Sequence, residues 1–219
     1  MTEPPEAIDL RSPLSLRTSL RFPLQSAESR REVLVGAAWL LVPVVGWLMN
    51  MGHRIRFVHN MQHGRPPFPA WRDPLDLLEH GAITCAGMAY YGWPGVLLMS
   101  LGGWHRQWPA FWLGVVLWAL AVIAIPGYMS HYCRAFDPRE IFDPFRALRR
   151  VYEGGLAYWK AWGIALLALA LSFLGLLALG VGFLVTSVWF WQVAGFSFAT
   201  VFTSRFQLDA AVGSSPAGS

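Results

Sequence analysis

Polar and apolar positions along this chain are sorted into long blocks rather than short periods. Five stretches, 33–51, 82–101, 108–129, 161–179 and 183–204, contain no Asp, Glu, Lys or Arg. Each is close to the ~20 helical residues needed to cross a ~30 Å hydrocarbon core. The pattern predicts an all-α fold, a polytopic helical membrane protein. Four of the stretches read as full transmembrane helices. The first, 33–51, is different: Leu41-Val42-Pro43-Val44-Val45-Gly46 lies at its centre. Pro43 removes an internal helix hydrogen bond and Gly46 weakens the next turn, so this stretch is a Pro-kinked re-entrant segment or else a fifth span.

The placement of the basic residues chooses between those two. If all five stretches cross, Arg and Lys divide eleven against six between the two sides. If the first dips in and returns, the division is sixteen against one, which the positive-inside rule prefers. Both termini and the Arg-rich connections are then cytoplasmic, with residues 102–109 on the far side. A bacterial inner membrane is the expected location.

Local signals organise the rest. Residues 1–25 hold Pro4, Pro5, Pro13 and Pro23 and are expected to be a flexible tail without an apolar signal-peptide core. Residues 26–206 form one helical membrane domain opening at Ser26, a suitable N-cap with Glu28 in the first turn. Residues 207–219, ending GSSPAGS, are a second flexible tail. Asp-Pro occurs at 73, 137 and 143, each where a helix should start. Asp73/Asp76 and Asp137/Glu140 have capping-box spacing. After Asp143, Phe145, Leu148, Tyr152, Leu156 and Trp159 make one apolar stripe while Arg146, Arg149, Arg150 and Glu153 take the other side. That is an interfacial amphipathic helix, bendable at Gly154-Gly155. Gly180-Val181-Gly182 reads as a tight turn between two crossings.

Composition changes the picture little. Of 219 residues 55% are hydrophobic and 14% charged, well below the ~25% charged of soluble domains. The net charge of +4 sits beside apolar spans and points to anionic headgroups rather than nucleic acid. Most of the twelve Trp, including Trp71, fall near span ends, as interfacial aromatics do. Cys85 and Cys133 offer no disulfide framework or metal pair.

Candidate chemistry is sparse. His59 and His63 share a helical face and would supply half a metal site, but no third ligand is fixed by spacing. His80 and His131 flank spans and could reach a haem or chlorophyll from the membrane edge. Interfacial anchoring accounts for all of these imidazoles more simply. Asp73, Asp76 and Glu79 line a helix start, where capping and the macrodipole explain them. No catalytic triad, phosphate loop or zinc motif is present. The crossings carry no ionisable group, which argues against a proton-coupled carrier. The small-residue pairs Ala82/Ala86, Ala178/Gly182 and Gly195/Ala199 allow close helix approach, within the chain or to a partner.

The ordered signposts Leu20-Arg21-Phe22-Pro23, Pro43, Gly46, Gly52-His53-Arg54, Pro69-Ala70-Trp71-Arg72-Asp73, Gly81, Ala135-Phe136-Asp137 and Gly180-Val181-Gly182-Phe183-Leu184-Val185-Thr186 resemble a prokaryotic family of small multi-helix membrane proteins known as a domain of unknown function. The resemblance spans about residues 18–206. It implies a helical inner-membrane fold and brings no catalytic residues. Ala194-Gly195-Phe196-Ser197 stands where a more polar, His-containing stretch is expected.

These observations predict a non-enzymatic integral membrane protein without a cofactor. It is expected to act as a scaffold or accessory subunit of a larger complex, with membrane lipids and other membrane subunits as partners. A carrier or binding protein for lipids or apolar small molecules is the alternative. A pigment- or haem-bearing subunit of an electron-transfer or photosynthetic complex is the third.

Overall fold

A computed structural model describes residues 14–178 and 180–213, the last ten by backbone alone. The expected tail segments 1–13 and 214–219 lie outside the described residues. The described chain is helical without strands, in the order α1 (Leu16–Arg21), a 3-10 turn (Phe22–Leu24), α2 (Ala27–Trp39), α3 (Val45–Gln62), α4 (Pro74–Trp104), α5 (Trp108–Ala135), α6 (Arg139–Phe142), α7 (Pro144–Ser172), a 3-10 turn (Phe173–Leu177) and α8 (Val181–Gly213). Residues 207–213, expected in the C-terminal tail, continue α8.

Three helical stretches are long and apolar enough to cross a membrane: Trp108–Ala135, Pro144–Leu177 and Val181–Thr203. The expected fourth, α4, is not among them. Its 31 residues suffice in length, but Tyr90-Tyr91-Gly92-Trp93-Pro94 at its centre lowers its mean hydropathy. One of those rings, that of Tyr91, serves internal contacts. The Tyr91 hydroxyl donates to the Ile141 carbonyl (2.7 Å), and the Tyr91 ring stacks on Tyr128 at 5.0 Å. α4 and α5 nevertheless pair antiparallel along their length, with His80 beside Tyr132 and Gly102 against Phe111.

The first apolar run is a helical hairpin. Ser26 caps α2, its hydroxyl accepting from the Ser29 N–H in a capping box. The helix then breaks over residues 40–44, where the Val42 N–H donates to the Trp39 carbonyl and Gly46 N–H to the Val42 carbonyl. α3 runs back along α2: Glu32 meets His53, Gly36 meets Asn50, and Trp39 meets Gly46. Residue numbers that rise on one helix as they fall on the other are the signature of antiparallel packing. Both ends of the run therefore lie side by side. The Asn50 amide fastens the tip, donating to the Gly36 (3.1 Å) and Gly46 (2.8 Å) carbonyls. Leu41, Val44 and Trp47 at the tip are exposed apolar side chains.

Residues 14–25 are folded, contrary to the flexible tail expected from their prolines. Ser15 caps α1, and Phe22 is buried against Phe57, Phe68 and Phe196, stacking on the last at 4.5 Å. The Trp189 indole donates to the Leu20 carbonyl at 3.2 Å. Aromatic partners distant in sequence fix this segment, each such pair contributing roughly 0.5–1.5 kcal/mol beyond burial.

α7 bends at Gly155, whose φ of 54° and ψ of −145° lie outside the helical region. Before the bend Phe145, Leu148 and Tyr152, and just after it Leu156, point away from the protein, Tyr152 and Leu156 being 88% and 89% exposed. Arg146, Arg149 and Arg150 pair with Glu140 and Glu153 on the other side. Gln192 in α8 is 1% exposed, and among the described residues neither its amide nitrogen nor its oxygen has a partner. Burying an unpaired amide costs about 1–3 kcal/mol. Gln192→Leu is therefore expected to raise the thermal midpoint by several degrees, measured by unfolding in detergent; a lower midpoint would show that the amide has a partner.

Candidate functional site

The end of α3, the start of α4 and the end of α5 bring three of the four histidines singled out in the sequence together. Phe136, the residue after α5, adopts a left-handed conformation (φ 54°). Its ring is thereby placed between His59 (4.3 Å) and His80 (4.1 Å), stacked on both. His63 follows at 4.1 Å from His59. The ring nitrogens are engaged: His59 Nδ1 lies 2.7 Å from the Cys133 carbonyl and His63 Nδ1 2.8 Å from the His59 carbonyl. His80 holds the Tyr132 hydroxyl through Nδ1 (2.7 Å) and lies 3.5 Å from Asp76 through Nε2. Among the described residues no group of three or more His, Cys, Asp or Glu is placed to hold a metal ion. His131 lies elsewhere, its Nδ1 3.0 Å from the Gly127 carbonyl and its ring edge-on to Phe202.

The acids nearby are engaged differently from the expected capping boxes. Asp73 precedes α4 in a left-handed conformation and makes no side-chain cap; with Asp76 it faces Arg56, at 3.8 and 2.6 Å. Asp137 accepts from the Arg139 N–H (2.9 Å), while Glu140 pairs with Arg146 and Arg150. Asp143 caps its helix as spacing predicts, accepting from the Phe145 and Arg146 N–H groups. Cationic side chains take the carboxylates of Asp73, Asp76 and Glu140 in place of the local backbone. Gly180 has φ 78°, as its tight turn requires, and Gly182 packs on Gly175 and Ala178.

Sequence reasoning missed the buried Glu32, which sits one residue before the first uncharged run. It is 5% exposed and accepts from the Ala70 N–H (3.1 Å) and from His53 (2.7 Å). Trp71 covers the pair, stacking on His53 at 4.2 Å and donating to the Glu32 carbonyl. Burial lowers the His53 pKa although Glu32 raises it. Burial lowers that of His59 against the opposing bond to the Cys133 carbonyl, with neighbouring Arg65 and Arg56 adding to the fall. Burial, with Arg56 opposing the help of Asp76, lowers that of His80. Groups held neutral in the fold lose ground once the unfolded chain takes up protons below the ordinary imidazole pKa of ~6.5. Stability is thus expected to be full above that pH and to fall as pH drops below it. A His59→Asn/His80→Asn variant should show a flatter thermal midpoint between pH 7 and 5.5; an unchanged slope would contradict this.

The larger feature lies on the opposite flank of α3. Two adjoining apolar cavities, of about 370 and 460 Å³, share Arg54, Met88 and Trp191 in their walls. The first adds Ile55 and Val58 of α3 and side chains of α5, α7 and α8, including Trp118, Trp162 and Phe198. The second is closed by the hairpin tip through Leu40, Trp47 and Asn50. Volumes of this size match ordinary small-molecule sites. Arg54 is half-buried between them. Its Nη2 points at the Met129 thioether (3.0 Å), and its guanidinium lies 4.8 Å from the Trp191 ring centre. Among the described residues it has no carboxylate partner, unlike Arg56, Arg146, Arg149 and Arg150. The sequence hid this, because α3 continues into what reads as a polar connection, and a missing counter-charge is a tertiary property.

No protein-family model matches the chain, and neither does any curated protein or solved structure. The family resemblance thus transfers no role to any residue, and both sites rest on their own geometry.

Proposed function

We propose that this chain is a non-enzymatic integral membrane protein that binds an apolar or amphiphilic molecule between its helices. The observation that carries the reading is the pair of cavities meeting at Arg54. The scaffold reading loses support by comparison, because two of the small-residue pairs already serve the chain itself. Gly182 lies against Gly175 and Ala178, and Gly195 against Phe57 and Arg54. Ala82 and Ala86 remain exposed. The pigment reading has little in its favour, since both His80 nitrogens already face protein groups.

In the membrane, α4, α5, α7 and α8 are proposed to cross while the α2–α3 hairpin enters and returns on the Arg-rich, cytoplasmic side of a bacterial inner membrane. The exposed apolar tip and the outward stripe on the first half of α7 support this arrangement, the latter as a helix lying among headgroups. The Asn50 amide ties together the two helices that flank the tip, donating to the Gly36 carbonyl of α2 and the Gly46 carbonyl of α3.

Native mass spectrometry of the full chain, extracted in mild detergent, tests the binding reading. A defined adduct of lipid mass that survives detergent exchange is expected. A bare chain with a second membrane protein bound in fixed ratio would favour the scaffold instead.

A further inference from the structure

We infer that the molecule held there is a single-chain anion, a long-chain fatty carboxylate whose head pairs with Arg54. The inference rests on the binding reading above and names its ligand class.

An arginine carries five N–H donors and stays charged under all ordinary conditions. Removing it from water without a counter-charge is costly unless something supplies one. Among the described residues it meets a thioether, which is a weak acceptor, and one aromatic face, with the Cys133 and Tyr128 side chains also close enough to act on it. No carboxylate among the described residues neutralises the cation, at the point where two apolar cavities meet.

The other polar side chains in the walls are committed elsewhere. Asn50 gives both amide hydrogens to the Gly36 and Gly46 carbonyls. The Ser130 hydroxyl donates to the Pro126 carbonyl (2.8 Å) and that of Ser187 to the Leu184 carbonyl (3.0 Å). A ligand therefore meets one strong polar group and otherwise carbon, sulfur and indole. That asymmetry fits a ligand with one small anionic head and a long apolar remainder. A carboxylate suits the planar guanidinium fork, which takes two of its oxygens at once. A diacyl phospholipid would bring ester and glycerol oxygens that find few donors here. The chain can lie in either cavity or bend through both. Trp118 and Trp162 in the first wall and Trp47 in the second would lie along it, with Trp191 beside the head.

The tryptophans supply the readout. cis-Parinaric acid, a polyene fatty acid that accepts excitation from indole, is titrated into the delipidated full-length protein in mild detergent. Its methyl ester, of identical chain but uncharged head, is titrated in parallel. Saturable energy transfer is expected for the acid, with the ester weaker by about ten-fold or more, the scale of a lost charge-assisted bond. Arg54→Gln should weaken the acid to the level of the ester and leave the ester unchanged, while Arg54→Lys recovers part of the loss. The acid–ester comparison on the unmodified protein needs no variant to fold. Equal affinity of acid and ester would overturn the carboxylate assignment and leave the binding reading intact. Tighter competition by phosphatidylglycerol than by oleate would overturn the single-chain assignment. Absence of saturable transfer for either probe would overturn both.

Discussion

Glu32→Ala is expected to be the most damaging single substitution outside the glycines. The Glu32 carboxylate is the shared acceptor for the His53 ring and the Ala70 N–H, all of them buried. Truncation leaves two donors without acceptors and a void beneath Trp71. Removing one partner of a buried charged or polar network costs about 3–5 kcal/mol. At the scale of this chain that corresponds to a fall of roughly 6–20 °C in thermal midpoint. Glu32→Gln keeps an acceptor oxygen at the same reach and should cost less than half as much. Thermal unfolding of both variants in one detergent separates the two costs. Equal, small losses would show that the carboxylate merely fills space. Because Glu32 joins α2, α3 and the 63–73 connection, its loss should also loosen the hairpin base and reduce binding in the cavity that the hairpin closes.

The second large effect concerns the hairpin tip. A Cβ on Gly46 would run into the Trp39 carbonyl oxygen, so no side chain fits without parting the two helices. The collision is with backbone and begins at the first side-chain atom. Gly46→Ala should therefore be nearly as harmful as Gly46→Leu, each costing about 3 kcal/mol or more. In an ordinary crowded site the larger residue is much worse. Gly92 in α4 supplies the control, since nothing lies within 4 Å of a Cβ there. Gly92→Ala should be neutral or slightly stabilising, as removal of a mid-helix glycine usually is. Parting α2 from α3 would also displace Leu40, Trp47 and Asn50 from the second cavity wall. Gly46→Ala is thus expected to weaken ligand retention as well as stability, both readable on the same preparation.

Much of the architecture was legible before any coordinates. Charge-free runs of span length mark the helices, because lipid tolerates neither exposed backbone nor bare charge. The reversal at Pro43 was visible only indirectly, through the imbalance of arginines on either side. The Asp143 cap and the Gly155 bend followed from local rules that no tertiary contact overrides. Where the reading failed, a distant partner decided the outcome. Phe22 folds a proline-rich segment because Phe57, Phe68 and Phe196 surround it. Asp76 and Glu140 leave the helix starts because Arg56, Arg146 and Arg150 bind them more strongly than a backbone N–H does. α4 fell below the hydropathy of its neighbours because tyrosines that serve packing sit at its centre.

The candidate sites divide the same way. His59, His63 and His80 stood out in the sequence, but their convergence depends on Phe136, placed among them by a left-handed backbone. Arg54 looked like one more headgroup arginine. Only the fold shows that its neighbours include Met129 and Trp191 and no carboxylate.

The central claim is that the first apolar run enters the membrane and returns, so that the arginine-bearing face of α3 closes a lipid-facing site. Single cysteines at Arg30, His63 and His105, in a Cys85→Ser background with the buried Cys133 retained, test it in sealed inner-membrane vesicles of known orientation. With a membrane-impermeant thiol reagent, positions 30 and 63 should react together from one side and position 105 from the other. Reaction of 30 with 105 on one side, and of 63 on the opposite side, would make the run a fifth crossing and contradict the account.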